Sequence, residues 1–240
     1  MDKGEKVRYR KAAKLGIKPM MPSRSLLLAG PLLAFLASSC GSSPQELVLE
    51  VRKGETYSIL ELGRHLAGME AEGLPFSEAE QGAVDLLREI AANDPGVADR
   101  MRAIATLASL QKIDNTSIFI QGLADKYWGV RWESAKALAA RPDPKATGAL
   151  VEILKKEKER IILLDAVEAL SRIGDETALE ALFFVLFDQT PRHIDNHMKA
   201  HAAICRLTGK NYGLDDVDKW AKYARERFLP AGEPPSGGKE

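Results

Sequence analysis

Val130-Arg-Trp-Glu-Ser-Ala-Lys-Ala-Leu-Ala-Ala-Arg-Pro-Asp-Pro-Lys-Ala-Thr-Gly-Ala-Leu-Val-Glu-Ile-Leu154 decides how the rest of the chain is read. In its first half Trp132, Ala135, Leu138 and Ala139 return every three to four residues, the period of a helix with one apolar face. Arg141-Pro142-Asp143-Pro144 then breaks that helix. Asp143 can cap a second one, and Pro144 suits its first position, where the backbone N–H has no intrahelical partner. The second helix presents Ala146, Leu150, Ile153 and Leu154 on one side. The stretch predicts two helices folded back on each other.

The pattern recurs. A shift of 32 residues carries Ala137-Leu138 onto Ala169-Leu170, Ala146 onto Ala178 and Leu150 onto Leu182. Here Gly174 ends the first helix and Asp175 caps the second. A further shift of 34 carries Ala169, Arg172 and Ile173 onto Ala203, Arg206 and Leu207, with Gly209 closing the helix. A backward shift of 31 places Thr106-Leu107 and Phe119 under Ala137-Leu138 and Leu150. Four hairpins at a nearly constant period predict stacked repeats, each too small to bury its apolar face alone.

The spelling Asp125…Val130-Arg131…Ala135…Ala137-Leu138…Pro144…Ala146…Leu150…Leu154 resembles the short bacterial HEAT repeat, the kind also found in phycobilisome-lyase-type proteins. The resemblance covers roughly residues 97–228 and is closest in Val130–Leu154. It implies an all-α chain, a right-handed α-solenoid of HEAT-like helical hairpins whose second helices line the concave side. It also implies protein binding there, and through the lyase-type relatives a bilin or protein substrate. Leu207-Thr208-Gly209-Lys210-Asn211-Tyr212-Gly213, followed by Trp220, is similar to the closing segment of such repeat proteins. Arg131 becomes Leu163 in the next copy, so any family role for it is local.

The chain carries 34 basic and 34 acidic side chains, but they are unevenly spread. Residues 1–39 hold eight basic groups against Asp2 and Glu5, which leaves 26 basic and 32 acidic in the remainder. A mildly acidic body argues against nucleic-acid binding, which needs a basic footprint. The apolar run Leu26–Leu36 is too short to cross a bilayer core of about 30 Å as a helix. It follows basic residues and ends at Ala37-Ser38-Ser39-Cys40, so residues 1–39 read as a signal peptide, with 1–19 a possible over-extended start. The small residues before Cys40 resemble a bacterial lipobox, which implies lipidation of Cys40 and a membrane-anchored lipoprotein of the cell envelope. Residues 40–44 would then be a short tether. Cys205 is left unpaired and reads as a packed thiol.

Between tether and repeats, residues 45–96 read as a helical cap. Ser43-Pro44-Gln45-Glu46 and Ser77-Glu78-Ala79-Glu80 are capping boxes. Leu47–Val51 fits either a helix or a strand. At the far end Leu214–Phe228 is amphipathic with Trp220 on its apolar face, and residues 229–240 hold too little apolar surface to order themselves.

Two constellations stand out. His193, His197 and His201 fall at i, i+4 and i+8, one slowly drifting helix face on which adjacent imidazoles could share zinc, nickel or copper; packing histidines give the same spacing. Ile120, Val151 and Phe183 each follow a core position of a second helix, and Leu179, Phe183 and Phe187 form their own i, i+4, i+8 stripe. Those residues could grip a protein partner on the concave face or fill the seam between repeats. Phosphate loops, zinc-protease motifs, nucleophile elbows and paired-cysteine zinc motifs are all absent from the sequence, so no catalytic residue and no cofactor is expected.

Overall fold

The computed structural model describes residues 42–188 and 194–229. The expected signal segment, Cys40, His193 and the residues from 230 on lie outside them. Among the described residues eleven α-helices follow one another: α1 (Pro44–Arg52), α2 (Thr56–Glu72), α3 (Glu78–Asn93), α4 (Val97–Ser109), α5 (Thr116–Gly122), α6 (Trp128–Ala140), α7 (Thr147–Lys156), α8 (Arg160–Ile173), α9 (Glu176–Phe187), α10 (Ile194–Thr208) and α11 (Val217–Phe228). Among the described residues every regular element is helical. One 3-10 turn, Pro144–Ala146, precedes α7, so Pro144 opens that turn rather than α7 itself.

The helices sort into two layers. α2, α4, α6, α8 and α10 pack in succession as a first layer, while α3 packs on α1 and α5, and α9 on α7 and α11, in the second. The layers meet through contacts such as α3 with α4, α7 with α8 and α9 with α10. The result is the expected α-solenoid. The α2–α3 pair takes the same places as the later hairpins although it escapes the repeat pattern, and the reason is spacing. α4, α6, α8 and α10 begin at residues 97, 128, 160 and 194, but α2 begins at residue 56 and runs four turns.

Local chemistry sets the boundaries. Ser43 and Ser77 form reciprocal capping boxes with Glu46 and Glu80, which resolves Leu47–Val51 as helix. Gly174 ends α8 at φ 67°, a left-handed conformation that a Cβ would strain. Its neighbour Asp175 caps α9 by accepting from the Ala178 amide. At the start of α4 Asp94 accepts from the Gly96 amide, and Gly96 is the N-cap.

The apolar faces form one continuous core through both layers, from Leu47 through Leu62, Leu87, Leu107, Leu138 and Leu170 to Trp220. Polar ties repeat with the hairpins. Carbonyls at or just past the ends of α2, α4, α6 and α8, where intrahelical donors run out, receive a cation from the next repeat. Lys112 donates to Glu70 O, Arg141 to Leu110 O and Ile113 O, Arg172 to Ala139 O and Ala140 O, and Arg206 to Ser171 O. On the same edge Thr116 Oγ1 donates to Asp143 Oδ2 and Thr147 Oγ1 to Asp175 Oδ2, at 3.0 and 2.7 Å. Each aspartate uses its other oxygen as a cap, accepting from Lys145 N or Ala178 N.

Candidate partner-binding groove

The second layer is not continuous. α7 packs on α9, whereas α5 meets the 3-10 turn ahead of α7. Two features hold α5 away. It spans only Thr116–Gly122, and its end is drawn onto α6, where a Cβ on Gly122 would lie 2.1 Å from Ser134 Oγ. Only glycine permits that approach. The gap left between α5 and α7 is a groove of about 350 Å³. Its apolar wall is Ile120, Leu123, Ala124, Ala149 and Ile153, and its charged members are Arg131, Glu152, Lys156 and Glu157.

One end is closed by a partly buried ion pair. Arg131 Nε and Nη2 donate to Glu157 at 2.6 and 3.2 Å, and Nη1 donates to the carbonyls of Asp125 and Lys126. The hydrogen bonds to Glu157 raise the Arg131 pKa further. Burial works against the charged Glu157 carboxylate, but Arg131 and the amides of Glu159 and Lys158 outweigh it and hold the carboxyl below its ordinary range. At the mouth Lys155 and Lys156 share Glu152, at 3.0 and 2.7 Å.

The residues expected to carry binding divide. Ile120 lines the groove and is half-buried; Val151 is half-buried on α7 but outside the lining. The Leu179–Phe183–Phe187 stripe is not an open contact surface, because α11 covers it. Leu179 and Phe183 are each only 3% exposed. Phe183 stacks on Phe187 and Tyr223 and meets Trp220 and Phe228 edge-on, with ring centroids 5.8–6.0 Å apart. Aromatic rings pack this way once water is excluded, so the stripe is the seat of the closing helix. Trp220 is fully buried and donates to Gly213 O at 3.0 Å.

Phe187 and His197 come together elsewhere, in a second cavity bounded also by Ile194, Val217 and Trp220. His201 Nε2 lies 2.8 Å from Tyr212 O, an acceptor only, so that nitrogen carries hydrogen and donates. A metal bound at Nε2 of His201 would have to displace this bond. His193 lies outside the described residues, and among those described no three potential ligands cluster. Cys205 is half-buried 3.6 Å from His201, and burial pushes its thiol pKa up, as suits a packed residue.

Sequence reasoning missed the partner of Arg131 in the preceding repeat. Arg100, 31 residues earlier, donates to both oxygens of Asp125 and to Asp94 O in the same manner. The signal was there to read backwards, since Asp125 and Glu157 are also 32 residues apart. Forwards the position is Leu163, which is buried. Comparison with curated proteins finds no match to this chain. A family of HEAT repeats matches residues 84–171 and again 116–192, so the stack from α3 to α9 is similar to HEAT repeats over that stretch.

Proposed function

We propose that this chain is a protein-binding scaffold of the bacterial cell envelope, anchored to the membrane through lipid on Cys40, with the groove between α5 and α7 as its contact surface. One observation carries the reading. α7 packs on α9, but between α5 and α7 the second layer leaves a half-apolar groove beside Ile120. HEAT stacks in general serve as interaction scaffolds. The acidic balance beyond residue 39 favours protein over nucleic acid as the partner.

The test is site-specific photo-crosslinking in cells, with the reactive side chain at Ile120 or at the exposed first-layer residue Ala105. A discrete adduct from Ile120 alone is expected, and equal adducts from both, or none, would remove the groove from the reading. Metabolic labelling with an alkynyl fatty acid tests the anchor. Label on the wild type and none on Cys40→Ser is expected; an unlabelled wild type ends the lipoprotein proposal.

A further inference from the structure

The mouth of the groove has a sign. Arg131 and Glu157 neutralise each other, and the Glu157 side chain is only 4% exposed. The charges that face water are Lys155 and Lys156 against one carboxylate, Glu152, all about half exposed or more. Lys158 and Glu159 on the turn that follows carry opposite charges, and the Lys126 ammonium lies over the Tyr127 ring, 5.1 Å from its centroid. Asp125, on the same loop, is taken by Arg100 at 2.8 Å. The mouth is therefore cationic in a chain whose residues beyond 39 are net acidic.

The floor has a shape. Ile120 on α5, Leu123 just past its end, and Ala149 and Ile153 on α7 line the gap where the two helices do not close on each other, so the depression runs between them. A row of apolar side chains at i, i+3, i+4 and i+7 from a third helix fits such a trough. Its flanking residues would then meet Lys155 and Lys156.

We infer that the gap between α5 and α7 is a socket for an acidic amphipathic helix of a protein partner, its apolar row on Ile120, Ala149 and Ile153 and its carboxylates against Lys155 and Lys156. The inference rests on the scaffold reading and adds the class of partner. Exposed opposite charges contribute selectivity and encounter rate more than affinity, and salt screens them.

The test uses the full chain and two hydrocarbon-stapled 15-residue helices with one leucine row, one bearing glutamates on its polar face and the other lysines. Binding is read by fluorescence anisotropy at low and high salt. The acidic helix is expected to bind about tenfold tighter or better at low salt, an advantage of about 1.4 kcal/mol that shrinks as salt rises. Lys155→Glu with Lys156→Glu should reverse the preference. Ala149→Trp, which fills the trough, should abolish binding of both peptides with an unchanged circular dichroism spectrum. Equal binding of the two helices, binding that survives Ala149→Trp, or no binding of either overturns the inference. If Ile120 captures a cellular partner while neither helix binds, the acidic socket falls and the scaffold reading stands.

Discussion

Arg131 and Glu157 join the start of one first-layer helix to the segment that follows the second-layer helix of the same hairpin, 26 residues on, and Arg100 and Asp125 make the same junction one repeat earlier. Both arginines also donate to the carbonyls just ahead of their own helices. Each pair thus fixes the edge where one hairpin leads to the next. The Arg131 side chain is 20% exposed and that of Glu157 4%. Removing the arginine alone would strand a covered carboxylate, which costs about 3–5 kcal/mol at fully buried sites. Arg131→Ala is expected to lose about 2–4 kcal/mol in urea unfolding. Replacing both partners, Arg131→Met with Glu157→Leu, should recover more than half of that loss.

The same carboxylates predict how stability responds to acid. Glu157 and Asp125 are held below their ordinary values of 4.5 and 3.8 once folded. A depressed folded pKa means that the unfolded chain binds protons more readily, so stability rises with pH in that range. Their contribution is complete above the unfolded values and is lost as pH falls below them through the folded ones. Thermal melts should show a flat midpoint from about pH 6 to 8 and a steep fall below pH 4. Glu157→Gln should shift less than the wild type over that acid range. An equal acid slope in the variant would show that Glu157 titrates alike in both states.

Much of the architecture was legible because repetition is a one-dimensional signal. Ala137-Leu138 over Ala169-Leu170 needs only a ruler, and Ser43, Ser77, Gly174 and Asp175 act within three residues of where they stand. The α2–α3 pair was not visible as a repeat, since its 41-residue offset breaks the ruler while the packing persists. Phe183 shows the other limit. Its i, i+4 stripe says that something apolar must cover it, and only the fold says that the cover is Trp220, Tyr223 and Phe228 of the same chain. The groove had no signature of its own. It comes from a short α5 held at Gly122 against Ser134.

The cations that cap each preceding first-layer helix set how strongly one repeat senses its neighbour. Arg172 reaches Ala139 O and Ala140 O, and Arg206 reaches Ser171 O and Ser171 Oγ. In a linear stack stability is close to a sum of repeat and interface contributions, so weakening an interface should lower cooperativity as well as total stability. Arg172→Met keeps the stem and removes the donors, at about 1–3 kcal/mol. Hydrogen exchange is expected to speed up at the end of α6 and in α8 to α11 while α2 to α4 stay protected. Uniform acceleration along the chain would mean that the stack unfolds as one unit.

Phe183 separates packing from binding most sharply. It lies within 6.0 Å, centroid to centroid, of four rings, one on its own helix and three on α11. An aspartate there would bury a carboxylate against four rings in the apolar core, and burial of that kind costs several kcal/mol unless the group takes up a proton or the structure opens. Phe183→Asp is expected to release α11 and destabilise the protein by about 4 kcal/mol or more, with loss of the near-ultraviolet dichroism of Trp220. Phe183→Leu keeps the apolar volume in part and should cost about 1–2 kcal/mol. The two substitutions give different answers if the residue meets a partner instead. Then Phe183→Asp would fold as the wild type does and lose only the partner. Equal melting temperatures for Phe183→Asp and the wild type would therefore return the α9 stripe to the list of contact surfaces and displace α11 from its role as the closing helix.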